Sequence, residues 1–585
     1  MMQSSLGGNV DGGYSEKRKK KYAVIVGVSS FLVVTMFIGT AVMSSGSGGH
    51  ERAIKAGNKL VVKTAVNVIC SSTDYKETCV ASLETVRSPD PRNLIKSAFE
   101  FAIKSIQKGI NQAAIDLRMR AKSDRRTREA LENCVELMEN SVEDLRKSNE
   151  KFAGFAFTRL RDIAEDLGVW LSGAITYQQT CIDGFEGIDS DAAEIMERIF
   201  KTAQQLTSNG LAIATNLDNL LKFFHIPIPF LTTSRDSTDE DSIEPVGRQL
   251  TEFPDWVTGH SRRLLAEKGG RIRANAVVAK DGSGQYRTIT EALAAVPKNN
   301  ERRFVIYIKS GVYAENVELT KKMTHVMFIG DGPTKTIVTG NLSFHPNRIS
   351  TYRTSTVAVN GDWFMAKDMA FENTAGPEGH QAVALRVSAD YAVFYNCRMD
   401  GYQDTLYVHT HRQFYRDCRI SGTIDFVFGD AKAVFQNCQF VVRRPMENQQ
   451  CIVTAQGRKD RRETTGIVIH KSRIMGDPTY LPVKTKNRAY LGRPWKEYSR
   501  TVIMNSLIDD IIDPEGWMKW NETFALDTLY YAEYQNTGPG SDQAGRVRWN
   551  GIQHLSDSAA TQYTPDNFLR GNTWIPKTRV PYAAN

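Results

Sequence analysis

Phe394-Tyr395-Asn396-Cys397-Arg398-Met399, Phe414-Tyr415-Arg416-Asp417-Cys418-Arg419-Ile420 and Phe435-Gln436-Asn437-Cys438-Gln439-Phe440 state one motif three times, with the cysteines 21 and 20 residues apart. A strand-turn unit of that length, stacked on itself, is one coil of a parallel β-helix. The three cysteines then lie above one another on strands about 4.8 Å apart. Because a disulfide joins two sulfurs, one of the three stays free. Around this repeat the period of two continues, in Phe304-Val305-Ile306-Tyr307-Ile308, His325 to Ile329 and Ala382 to Val387, with glycine-containing turns after many of the strands. From about Arg271 onward the chain is expected to be all-β.

The repeat also places two acids. Asp404 follows Cys397 by seven residues, and Asp425 follows Cys418 by seven. They share one phase on consecutive coils and should project side by side, among the apolar neighbours Leu406, Ile424, Phe426, Val427 and Phe428. Like charges that close cannot both ionise cheaply, so one pKa should rise while the other stays low. That division yields a proton donor and a carboxylate nucleophile or base. Gln403, just before the first acid, offers an amide donor for an oxyanion.

Ahead of this half the period is different. Asn93 to Ile103, Ala130 to Leu145 and Ile195 to Leu206 repeat apolar positions at three and four, which predicts an up-and-down helical bundle over 53–224. Cys70 and Cys79 are close enough to staple a hairpin, and Cys134 and Cys181 would tie two later helices. Residues 225–265 lose the helical pattern and gain Pro, Ser, Thr and Asp, so they read as a linker. Near its end, Arg262-Arg263-Leu264-Leu265 is an exposed basic site of the kind a processing protease cuts.

At the amino terminus, a basic tail (1–21) precedes the uncharged run 22–43. At about 1.5 Å per residue that run spans a hydrocarbon core of about 30 Å. It reads as a signal anchor that keeps residues 1–21 cytosolic and sends the remainder into the lumen. Sequons at Asn341 and Asn521 fit that route. The eight cysteines fall in two groups of four without zinc-ligand spacing, which suits two domains in an oxidising compartment. With 41% hydrophobic and 24% charged residues the chain is neither collagen-like nor largely disordered. Its net charge of +8 favours an anionic partner: nucleic acid, acidic lipid or acidic polysaccharide.

Gly401-Tyr402-Gln403-Asp404-Thr405-Leu406-Tyr407, Ile424-Asp425-Phe426-Val427-Phe428-Gly429 and Leu491-Gly492-Arg493-Pro494-Trp495 resemble the central motifs of plant pectin methylesterases. Gly376 to Leu385 and Val278 to Gly284 resemble two more. The helical half, with Thr176-Tyr177-Gln178-Gln179-Thr180-Cys181, resembles the pectin methylesterase inhibitor domain found ahead of such enzymes. The resemblance implies an amino-terminal four-helix bundle and, over 266–585, a right-handed parallel β-helix that cleaves methyl esters of pectin. No metal or cofactor is implied.

Carried over by residue, the resemblance makes Asp425 the nucleophile and Asp404 the acid and base. Gln403 and Gln381 would hold the oxyanion, Arg493 would pair with Asp425, and Trp495 would stack on a sugar ring. Thr351 matches a substrate contact, although Phe344 to Ile349 departs from the family's loop. The family pattern favours a Cys418–Cys438 bond with Cys397 buried and free. It also implies a silent precursor held by its own helical unit and anchored in the Golgi membrane. A protease would then release it to the cell wall. The anionic partner becomes pectin rather than nucleic acid. Two other readings are a pectin depolymerase on the same scaffold, which needs a different acid set, and a binding protein whose β-helix is inactive.

Overall fold

Asp90 opens the longest helix by a simple device: its Oδ1 accepts the amide of Arg92 at 2.9 Å, with Pro91 between them where no amide is needed. Such caps and the three-four periodicity produce α1 (Ser47–Cys70), α2 (Lys76–Leu83), α3 (Pro91–Arg120), α4 (Arg125–Ala153), α5 (Leu160–Asp183) and α6 (Ser190–Thr215). The computed structural model describes residues 47–120, 125–154, 160–188, 190–224, 274–346 and 348–585. The tail 1–21, the apolar run 22–43 and the linker 225–265 with Arg262, Arg263, Leu264 and Leu265 lie outside the described residues. Among the described residues no helix is long and apolar enough to cross a membrane.

Helices α3 to α6 pack each on the next and α6 back on α3, closing the expected four-helix bundle. The Cys70–Cys79 bond joins α1 to α2, and Cys134–Cys181 joins α4 to α5. Along α4 the buried side chains Ala130, Cys134, Leu137, Met138, Ser141, Val142 and Leu145 keep the three-four spacing. By contrast, every residue of α5 from Leu171 to Gln178 is buried, on all sides of the helix. One side faces the bundle and the other faces the β-half. At Gly173 an added Cβ would lie 2.7 Å from His411 Nε2, so only glycine allows this approach.

The β-half is built from three sheets of eleven, eight and seven strands, all parallel. Their shared interior holds one apolar core from Ala276 to Tyr531. The strand register follows the cysteines of the repeat: Phe394 lies opposite Tyr415, and Tyr415 opposite Phe435. Their rings stack at 5.0 and 4.4 Å between centroids. Phe414, one residue earlier, faces the other side against Val393 and Val434, because a one-residue shift reverses every side chain of a strand. Asn396, Asp417 and Asn437 turn each coil in the left-handed backbone region, with Asn437 Nδ2 donating to Asp417 Oδ1 at 2.6 Å.

One expectation from the family pattern is corrected here. Cys418 and Cys438 are not bonded; with Cys397 and Cys451 they are buried free thiols. Each stacked sulfur donates to main-chain carbonyls instead: Cys397 to Tyr395, Cys418 to Arg416 and Phe394, Cys438 to Gln436 and Tyr415, at 3.4–3.5 Å.

Candidate active site

The seven-stranded sheet positions the two acids. Asp404 stands two residues before the strand Leu406–Val408, and Asp425 two before Val427–Gly429. Leu406 is opposite Val427, so the acids lie one coil apart in the same phase. Both adopt left-handed backbone, with φ of 64° and 51°, a conformation that Asp enters more readily than most side chains. The turn is pinned beneath by Thr405, whose hydroxyl donates to Tyr402 O and Ser421 O. Asp404 N–H donates to Ile424 O at 3.0 Å, tying one acid-bearing turn to the next.

The environments of the two acids differ sharply. Arg493 grips Asp425 with two bonds, Nε to Oδ1 at 2.8 Å and a terminal nitrogen to Oδ2 at 2.6 Å. Such a fork is the strong form of an Arg–carboxylate pair. Burial works against the guanidinium charge, but Asp425 outweighs it and raises the Arg493 pKa. The Trp520 ring lies 4.3 Å from the guanidinium carbon and fixes its plane from the other side. Asp404 has no such partner. Burial first, and the Asp425 charge second, push its carboxyl well above the ordinary carboxylate range. One acid is thus forked to a guanidinium, while burial favours the protonated form of its neighbour.

This carries a stability consequence. The folded protein holds a proton on Asp404 that the unfolded chain releases near its ordinary pKa. Stability therefore falls as pH rises from that value through the raised one, and the penalty persists above it. Asp404→Asn removes the titration. Calorimetry of the intact protein at neutral pH should place its Tm above the parent's, with the two converging in acid. Parallel curves at every pH would contradict this account of Asp404.

Around the acids lies a cavity of about 530 Å³. Gln403, Gln381, Thr351 and Trp495 all line it, so the structure brings together every residue assigned to the site from sequence. Trp495 stands edge-on to Phe428 and Tyr407, which stack on each other at 4.2 Å between centroids. Gly457 closes the back of Trp495, where an added Cβ would come within 2.6 Å of the ring. Trp520 also lines the cavity and was missed from sequence. Its one signal is an aromatic residue in the polar stretch Lys519 to Thr523.

Family models match at two places: Pectinesterase over residues 275–572, and Plant invertase/pectin methylesterase inhibitor over residues 64–213. "Probable pectinesterase/pectinesterase inhibitor 58" of Arabidopsis thaliana is 54% identical, across 98% of this chain and 100% of its own length. The chain belongs to the pectinesterase family. Pectinesterase/pectinesterase inhibitor 3 of the same plant is 38% identical over 97% of both chains. Among solved structures, pectin methylesterase from carrot is 49% identical with a TM-score of 0.53. It covers 54% of this chain and 99% of its own, so the pectinesterase half also occurs as a separate folded chain.

In this pectinesterase the inhibitor-like unit sits over the site. Thr180 bonds His409 Nε2 at 2.9 Å, and Thr180, Cys181 and Asp183 form one wall of the cavity. Tyr352, Val383, Tyr407, Phe428 and Ala455, on the outer side of the sheet, pack with the bundle rather than with the β-helix interior. Deeper in the interface, fully buried Asp144 reaches Lys321 at 3.1 Å and His411 Nε2 at 2.8 Å. The loop carrying Thr351 is held too, through Ser350 to Asn133 and Arg353 to Glu136. Asn341 and Asn521, the two sequon asparagines, are exposed.

Proposed function

We propose that this pectinesterase hydrolyses methyl esters of galacturonate units in pectin by an aspartyl mechanism. The observation that carries the reading is the unequal pair: Asp404 buried without an arginine partner and its pKa raised, one coil from an Asp425 forked to Arg493. A carboxylate oxygen of Asp425 attacks the ester carbonyl carbon. As the carbon–methoxy bond breaks, Asp404 gives its proton to the departing methanol. Water then attacks the acyl-enzyme and returns a proton to Asp404. The Asp425 carboxylate is restored, and the galacturonic acid released gives up its proton to solvent as a galacturonate carboxylate. Gln403, with Gln381, donates to the tetrahedral oxyanion, and Trp495 stacks on a sugar ring.

Released methanol from methyl-esterified pectin, supplied by residues 266–585, tests the reading. Properly folded material that releases none would reject it. Gln403→Ala should lower kcat by roughly 10²–10³-fold, the usual cost of one oxyanion donor, with KM little changed. A loss confined to KM would move Gln403 from the oxyanion to ground-state binding.

In the same reading the inhibitor-like unit keeps the precursor silent, since Thr180 and Asp183 wall the cavity on the side a polymer must cross. The route proposed is the secretory pathway, with the run 22–43 as anchor and a protease cutting at Arg262–Leu265. The amino-terminal residue of the extracellular form tests both. A start at residues 265–267 supports the cut, and a start before Arg262 rejects it.

A further inference from the structure

The helical unit walls the site without filling it. With the unit seated, a space of about 530 Å³ still lies against Gln381, Gln403, Asp404, Asp425, Arg493 and Trp495. That is within the roughly 300–1,000 Å³ of small-molecule sites. Among the described residues no hydrogen bond or ion pair runs from the unit to any of these six. The unit's polar groups in the wall are turned aside instead, Thr180 Oγ1 to His409 and Asp183 Oδ1 to Lys496 Nζ at 2.8 Å. The Arg493 side chain remains 19% exposed beneath the unit. The lining runs out to Glu186 and Gly187, beyond α5, and to Arg348, all three exposed, so the cavity opens to solvent there. Two other sides are tied shut. Asn133 bonds Ser350 at 3.2 Å and Arg353 at 2.5 Å, beside Thr351, and Asp183 holds Lys496, beside Trp495. A space open at one mouth and bonded at its flanks admits a molecule that ends inside it. A polymer that must both enter and leave has no way through until those bonds part.

We propose that the intact chain is already an esterase for small methyl esters, a single methyl galacturonate or a short galacturonide, and that the helical unit silences it toward polymer alone. The proposal rests on the esterase reading, which supplies the chemistry, and adds which substrates the seated unit lets in. The reaction is unchanged. The carbon–methoxy bond breaks, methanol leaves with the proton of Asp404, and water supplies both the hydroxyl that ends on the carbonyl carbon and the proton that Asp404 regains. Seating the unit does not pull the pair apart: the fork of Arg493 on Asp425, at 2.8 and 2.6 Å, is that of the chain with its unit in place. The unit is then a filter by length. Polymer is worked on only by the fraction of molecules whose unit is off, whereas a short ester is worked on by all of them.

The test compares the full chain, shown uncut by its mass, with residues 266–585, the half that the carrot chain shows to fold alone. Methanol release is measured on methyl-esterified galacturonides of increasing length, from one unit up to high-ester pectin. A unit seated in about 99% of molecules lowers polymer turnover about a hundredfold. At the shortest lengths the half accepts, the two rates should agree within about threefold, because entry there needs no opening. Asp144→Ala, which loosens the seat, should lift the full chain's rate on pectin and leave its rate on the short esters in place. A full chain depressed by one factor at every length overturns the proposal, since its activity would then come only from molecules whose unit is off. Short-ester and pectin rates that rise together in Asp144→Ala overturn it as well. Binding of the unesterified trimer to both chains, by equilibrium dialysis, is read without turnover. A half that releases no methanol at any length fails the esterase reading, and dialysis still reports whether the cavity is entered. A half that works on short esters, beside a full chain that neither hydrolyses nor binds them, defeats this proposal alone.

Discussion

Asp425→Asn abolishes methanol release, lowering kcat by at least ~10⁴-fold, the scale of losing a covalent nucleophile. The amide keeps the shape of the side chain and its position one coil from Asp404, but it cannot attack a carbonyl. Arg493 then faces a neutral group in a site that is only 5% exposed at Asp425. A buried pair that loses one charge costs about 3–5 kcal/mol of stability, so a lowered Tm should accompany the lost activity. Rapid-quench mass spectrometry of the parent during turnover should find galacturonyl mass on the peptide carrying Asp425. A variant retaining more than about 1% of parental kcat, or label on a different carboxylate, would remove Asp425 from the nucleophile's role.

Asp144→Ala in the intact chain should raise methanol release from polymeric pectin by ~10²-fold or more, because it strands Lys321 and His411 inside the interface. Truncating one partner of a buried, hydrogen-bonded charge pair costs about 2–5 kcal/mol of docking, and each 1.4 kcal/mol is a factor of ten. Asp144 is fully buried with a hydrogen bond to each base, so the cost should reach the upper part of that range. Burial opposes charging of His411, but Asp144 outweighs it, helped by Asp390 and Asp362, and raises the imidazole pKa. That contribution to docking is complete below the ordinary histidine value and is lost as pH rises through the raised one. Asp430, buried against Thr176, is pushed up to about 6 by burial and acts with the same sign. The unit therefore seats more firmly in acid, and the parent's activity on polymer should climb with pH more steeply than that of Asp144→Ala. A variant no more active than the parent, beside a severed and separated chain that is, would place the seat elsewhere. No gain even after separation would end the autoinhibition proposal.

Much of this was legible in the order of residues, for a physical reason. A coil touches the next coil about twenty residues on, so the stacking of Cys397, Cys418 and Cys438 and the phase of Asp404 and Asp425 appear as a repeat along the chain. The three-four spacing of α4 records its single buried face in the same way. Even there the letters misled in detail. Phe414 looks like the equivalent of Phe394, yet the cysteine sets the register and Tyr415 fills the stack. The thiols show a second limit: a family pattern proposed a bond that the stacked sulfurs do not make.

What the sequence by itself determined was therefore the two folds and the pair of acids, because each is written in contacts of short or regular separation. Only the tertiary structure decided how the halves meet. Asp144 and His411 are 267 residues apart, and no period connects them. Gly173 reads as an ordinary helical glycine until His411 is seen against it. Trp520 reads as a loop aromatic until Arg493 lies over it. Desolvation does the rest. The carboxyl of Asp404 is pushed well above the ordinary range because burial and a neighbouring carboxylate act on it together, and both are properties of the folded site.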